Sequence, residues 1–306
     1  MSSEPGRLAG RETGSKGSLL SPRVGVLAAL LLVAFAVWIQ ARASDPKPLT
    51  PLAAGANGQL DIRYSDHSDR NLLDVYTPAT DGPHPVIIWL HPGGWIRGDK
   101  AASIPIWDWT DRGYAVVAVN YRYALAPDTV VEGAEDAIAA TRYVFEHHAD
   151  FDFDVDRIGV FGFSAGGHLA AMVATTDLPV AAVAVAAAPT DFAPLLDPVD
   201  RFFDGRVGTD IAAWARTLLG CSDSADCENV AAKVSPSQLG AGTAPILVVH
   251  GDQDNIVAVA HATRYADHLM SRGADVEVVI VPGGGHSPHV ELGGIDVFFD
   301  ERLLDR

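Results

Sequence analysis

Six short apolar runs constrain the fold of this chain more than any other feature: 85–90 (PVIIWL), 115–120 (AVVAVN), 158–163 (IGVFGF), 181–187 (AAVAVAA), 245–250 (PILVVH) and 276–281 (VEVVIV). Their near-continuous apolarity is what strands of a parallel sheet need when both faces are covered. Between them, segments 103–112, 131–148, 165–175, 209–219, 258–272 and 289–304 have helical character, several with apolar residues at three- and four-residue spacings. Strands alternating with helices imply right-handed crossovers and a doubly wound sheet. Segments 60–64 and 72–76 alternate polar with apolar residues and predict an antiparallel pair at the start. The expectation is an α/β domain with a mostly parallel, eight-stranded sheet and helices on both faces. Ligands of such sheets bind at the carboxyl ends of the strands, so chemistry is expected in the loops just after them.

Those loops carry reactive residues. Segment 158–163 runs into Gly162-Phe163-Ser164-Ala165-Gly166-Gly167 and then into an Ala-rich helix. This is G-x-S-x-G in strand–turn–helix context, where glycines allow a sharp turn and close backbone approach. A serine hydroxyl is a weak nucleophile and needs a base. Residues 250–257 (HGDQDNIV) follow one strand and 282–287 (PGGGHS) follow the next. His286 is the expected general base, and an acid on the preceding loop would fix its tautomer and stabilise the imidazolium. Asp254 and Asp252 compete for that role. Asp254, four residues beyond the strand, has the reach; Asp252 is better placed to brace the turn.

A third element, His91-Pro92-Gly93-Gly94-Trp95, follows segment 85–90. Gly93 and Gly94, with Ala165, can present backbone N–H groups to an oxyanion. Pro92 has no N–H to give. No cofactor is called for.

With these residues in view, the chain resembles the esterase branch of the α/β-hydrolase fold related to hormone-sensitive lipase, bacterial carboxylesterases and formamidases. HPGGW at 91–95, NYRYALAP at 120–127, DRIGVFGFSAGGHLAA at 156–171, HGDQDNIV at 250–257 and GGGH at 283–286 carry the resemblance. It implies a serine carboxylesterase that acts on short-chain or small-molecule esters through an acyl-enzyme. The alternative is an amidase, peptidase or formamidase using the same triad. The family's acid matches Asp254 and its oxyanion glycines match Gly93 and Gly94. Pro92 stands where the family often has its first glycine. Hormone-sensitive-type enzymes usually carry a helical cap before the first strand, whereas only about sixteen residues separate Ala43 from Leu60, an expectation against long acyl chains. A lid-like insertion is expected at about 190–244, with Phe202, Phe203 and Trp214.

The remaining features concern location and partners. Residues 1–23 are polar with basic residues, and the apolar run 24–39 would span roughly 24 Å as a helix. Ala41-Arg42-Ala43 follows in the small-x-small pattern of a signal-peptidase site. The pattern fits a cleaved signal and a retained membrane anchor alike, and both predict export of a catalytic domain from residue 44 onward. The chain has 39 acidic and 22 basic residues, a net charge of −17, which repels nucleic-acid phosphates. Cys221 and Cys227 are expected to form a local disulfide in an oxidising compartment. The cluster His147, His148, Asp150, Asp152, Asp154 and Asp156 lacks the Gly and Glu of a calcium loop, since Val155 and Phe161 occupy those places, and predicts a solvated acidic loop. His168 is expected to be a packed structural histidine. Asp136 is expected to hold neighbouring backbone. Trp95, Trp107 and Trp109 suit a substrate pocket and an aromatic core equally well.

Overall fold

The structure, a computed structural model, describes residues 57–101, 106–196 and 211–304. The apolar run 24–39, the expected export signal and Phe202 and Phe203 lie outside the described residues. Among those described, no helix is long and apolar enough to cross a membrane.

Eight strands form one sheet: β1 Asn57–Arg63, β2 Leu72–Thr77, β3 His84–Leu90, β4 Ala115–Val119, β5 Phe153–Phe163, β6 Ala182–Ala186, β7 Ile246–Gly251 and β8 Val276–Val281. Their order is β1-β2-β4-β3-β5-β6-β7-β8. β1 pairs antiparallel with β2, and β2 with β4; all other pairings are parallel. Eight described helices accompany the sheet: α1 Ile106–Asp111, α2 Val130–Glu146, α3 Ala165–Val173, α4 Ala193–Leu196, α5 Ile211–Leu219, α6 Ser224–Lys233, α7 Ala260–Ser271 and α8 Pro288–Phe299.

Side-chain alternation along each strand divides the core in two. Val86, Ile88 and Leu90 of β3 pack with Val117, Val119, Val160 and Leu169 under α2 and α3. Ile87 and Trp89 face the other way, towards Trp109 of α1 and Ile295, Phe298 and Phe299 of α8. Helices therefore cover both faces, as the apolar runs require. Among the six apolar runs the exception is β8, where Val278 and Val279 are each 38% exposed. With β7 as its only neighbour among the described strands, β8 is half-open despite its apolar sequence.

β5 starts five residues earlier than its apolar run predicts. His84 pairs with Phe153 across a register shift, which draws Phe153-Asp154-Val155-Asp156 into the strand in place of a loop. Only Asp150 and Asp152 stay outside it. Asp154 pairs with Arg157 at 2.7 Å and Asp150 with His147 at 2.9 Å. Among the described residues no cluster is arranged to hold a metal ion.

Local signals set the helix that follows β4. Thr129 Oγ accepts from the Val131 amide at 3.1 Å, and the Glu132 carboxylate accepts from the Thr129 amide at 2.6 Å. This capping box satisfies donors that α2 would otherwise leave open. Asp136 of the same helix is buried and accepts from the Arg122 backbone amide and guanidinium, both at 2.9 Å, as its placement predicts.

The described part of the insertion, α4 to α6, is packed against the domain. Phe192, Ala215, Leu218 and Ala231 are buried in one cluster with Val130 and Leu169, while Cys221 and Cys227 are joined by a disulfide within the insertion.

Candidate active site

The turn between β5 and α3 is enforced by contact. Ser164 has φ +58° and ψ −120°, a conformation rarely adopted by a residue with a side chain. A Cβ on Gly162 would overlap the Gly166 carbonyl, and one on Gly166 would overlap the Leu90 carbonyl. Both flanking glycines are thus required by backbone packed on backbone. The Ser164 amide donates to the Ala186 carbonyl at 2.9 Å, which ties the turn to the end of β6.

Two other loops meet this turn. A Cβ on Gly251 would overlap the Gly284 carbonyl, and that same carbonyl accepts from the Gln253 amide at 2.8 Å. This close crossing brings the loop after β7 onto the loop after β8. His286 Nδ1 lies 2.7 Å from Asp254 Oδ2, and His286 Nε2 lies 3.0 Å from Ser164 Oγ. Asp252 is elsewhere: its Oδ1 accepts from the Gly283 amide at 2.7 Å and braces the turn. The structure therefore joins Ser164, His286 and Asp254 in one hydrogen-bonded line and leaves Asp252 outside it.

The Asp254 side chain is fully buried, with its acceptor sites filled. Oδ1 accepts from the amides of Ile256 at 2.8 Å and Val257 at 2.9 Å. Oδ2 also lies 3.3 Å from His250 Nε2, which is 2.9 Å from the Val257 carbonyl. Burial alone would raise the Asp254 pKa. Hydrogen bonds from His250 and His286, the charge of His286 and the Val257 amide outweigh it and hold the carboxyl well below the usual carboxylate range. An ionised acid at this position accepts from Nδ1–H and so fixes the tautomer of the imidazole above it.

The amides of Gly93, Gly94 and Ala165 donate to no described residue. Gly93 has φ +134° and Gly94 φ +60°, backbone that a side chain would strain. The loop carrying them is braced from below. Tyr121 Oη donates to the His91 carbonyl at 2.7 Å and its ring stacks on His91 at 4.2 Å. Arg70 Nε donates to the Tyr121 carbonyl at 2.9 Å, and the Tyr123 hydroxyl donates to the Gly98 carbonyl. Arg70 and His250 escaped the sequence reading. His250 ends an apolar run, and Arg70 precedes a strand in an otherwise unremarked polar stretch.

Trp95 and Trp109 are core residues, 2% and 1% exposed. Trp109 Nε1 donates to Asp296 at 2.9 Å. The Trp107 side chain lies outside the described residues. His168 is fully buried and packed, as expected.

Comparison with known proteins agrees with this architecture. The chain is 26% identical over 230 residues to the probable carboxylic ester hydrolase LipM of Mycobacterium tuberculosis, covering 68% of this chain and 51% of LipM. It is 28% identical over 250 residues to the ethyl acetate hydrolase of Pseudomonas putida, covering 75% and 74%. The chain spans about half the length of LipM, and no more than 60% of the other leading curated relatives. Esterase B from Lactobacillus rhamnosis (HN001) superposes with a TM-score of 0.72 at 21% identity, covering 90% of this chain and 96% of that one. That likeness, with the strand order above, makes the fold an α/β-hydrolase fold. Residues 73–269, from β2 through most of α7 and including Gly93, Gly94, Ser164 and Asp254, match the BD-FAE family, and the chain belongs to it.

Proposed function

We propose that this chain is a serine carboxylesterase that hydrolyses short-chain or small-molecule esters through an acyl-enzyme on Ser164. The observation that carries this reading is the unbroken line from Ser164 Oγ through His286 to Asp254, at 3.0 and 2.7 Å. In this reading His286 removes the hydroxyl proton as Oγ attacks the ester carbonyl. The free amides of Gly93, Gly94 and Ala165 receive the negative charge that develops on the carbonyl oxygen. Collapse of the tetrahedral intermediate breaks the C–O bond, and His286 returns the proton to the departing alcohol. Water, activated by the same histidine, then releases the acid and restores Ser164.

The names of LipM and the ethyl acetate hydrolase support ester over amide, and the second of them supports a short acyl group. Export of the domain is part of the proposal. It is supported by the apolar run 24–39 and by the Cys221–Cys227 disulfide, a bond that persists in oxidising compartments.

A fluorophosphonate probe and p-nitrophenyl butyrate test the reading together. Wild-type protein is expected to label at Ser164 and turn over the ester, and Ser164→Ala to lose both. Full turnover by Ser164→Ala would sink the proposal.

A further inference from the structure

Trp95, the residue directly after the two oxyanion-loop glycines, has φ +60°. For a bulky side chain this left-handed backbone is strained and persists only where the surroundings impose it. Three consecutive residues, Gly93, Gly94 and Trp95, share positive φ, so Trp95 continues the turn that carries the two preceding amides. What imposes it is visible. The Trp95 carbonyl accepts from the Ala124 amide at 2.7 Å, and its indole N–H donates to His168 Nδ1 at 3.1 Å. The indole also meets the His168 ring edge-on at 5.4 Å and packs on Phe192 at 5.4 Å.

The state of His168 follows from its two partners. An indole nitrogen can only donate, so Nδ1 must accept. Nε2 lies 2.7 Å from the Val234 carbonyl, which can only accept, so Nε2 carries the proton. One neutral tautomer satisfies both bonds; an imidazolium would turn an N–H against the indole N–H. Burial lowers the His168 pKa to about 4, despite the Val234 hydrogen bond, and favours the same state.

Val234 is the residue that ends α6, the disulfide-bearing helix of the insertion. His168 sits one turn along α3 and donates its own amide to the Ser164 carbonyl at 3.0 Å. One fully buried side chain therefore connects the nucleophile helix, the oxyanion loop and the insertion. The triad chemistry uses neither His168 nor Trp95.

We propose that His168 is a positioning residue: it clamps Trp95 in its left-handed conformation and thereby holds the Gly93 and Gly94 amides in register with Ser164, using the insertion as the anchor. The inference rests on the serine-esterase reading of the site. Loss of the clamp displaces donors that act in the transition state, so it lowers kcat with little change in KM.

The test compares Trp95→Phe, which keeps an aromatic ring and removes the indole N–H, with His168→Phe and the double variant. The readouts are kcat and KM for p-nitrophenyl butyrate, Ki for a trifluoromethyl ketone that adds to the serine as an oxyanion, and Tm. Trp95→Phe is expected to lower kcat about 10- to 100-fold, with KM nearly unchanged and Ki raised by a similar factor. The double variant should be no worse than the poorer single one, because both remove the same bond. Tm falling while kcat and Ki stay at wild-type values would reduce the pair to core packing and overturn the clamp. If His168→Phe does not fold, ¹⁵N-histidine NMR of the wild-type protein decides. An Nε2–H His168 that does not titrate between pH 5 and 8 is expected, and an Nδ1–H or titrating His168 overturns the clamp. Wild-type kinetics in the variants with Ser164 still labelling would overturn the clamp alone. Absence of labelling in the wild type would overturn the esterase reading with it.

Discussion

Gly166, at the start of the nucleophile helix, lies against Leu90 so closely that a Cβ would overlap the Leu90 carbonyl oxygen and crowd that of His91. This contact seats the first turn of α3 directly on the strand that leads into the HPGG loop. Any methyl group on Gly166 would push these two backbones apart. Gly166→Ala is therefore expected to lower stability by about 1–3 kcal/mol, since rigid backbone must move to admit the methyl group. Gly240, whose Cβ would meet nothing within 4 Å, supplies the control. Its alanine variant should stay within about 0.5 kcal/mol of wild type in urea unfolding.

The two acids of the HGDQD loop separate cleanly by partner, and their amide variants should separate as cleanly by activity. Asp254→Asn leaves the shape but loses the charge and favours the wrong imidazole tautomer, with an expected drop in kcat of roughly 10⁴-fold. Asp252→Asn removes the charge but keeps an oxygen that can accept from the Gly283 amide, and kcat should stay within a few-fold of wild type. Steady-state kinetics on p-nitrophenyl butyrate distinguish them, and equal losses would contradict the assignment.

Stability should fall on mild acidification. Burial holds the pKa of His91 and His168 at about 4. Burial, with the charges of His250 and Arg264, holds that of His261 at about 3. Unfolded histidines take up protons from about pH 6.5 downward. Between there and about pH 4 the unfolded chain binds more protons than the folded one, so stability declines as pH falls. Each such proton is worth about 1.4 kcal/mol per pH unit. Asp254 acts at lower pH, because its depressed pKa supplies stability that is present above about pH 4 and lost as pH falls through the folded value. Urea midpoints measured from pH 7.5 to 4.5 should change little down to about pH 6.5 and decrease below it, and a flat profile would contradict the buried, neutral state of these histidines.

Acyl-chain preference is expected to lie at the short end. Across p-nitrophenyl esters from C2 to C16, kcat/KM should peak at or below C6, and a maximum at C12 or longer would oppose this.

The sequence by itself determined the strands, the loops that carry chemistry and the residue types in them. These are local properties: β-branched runs, helical spacing, and glycines flanking a serine at a strand end. That Asp254 and not Asp252 lies against His286 was legible as well, because reach beyond a strand depends on the number of residues that follow it. The early start of β5 at Phe153 was not, since it depends on pairing with His84 across the sheet. Nor was the half-open state of Val278 and Val279, because an edge strand is defined by the neighbour it lacks. His250 beneath Asp254 and the single tautomer of His168 were decided by tertiary structure for the same reason. Ser164 and His286 are 122 positions apart, and Trp95 and His168 are 73 apart. Local periodicity states which face a residue occupies, but only the strand order and the backbone contacts at Gly162, Gly166 and Gly251 bring those faces together.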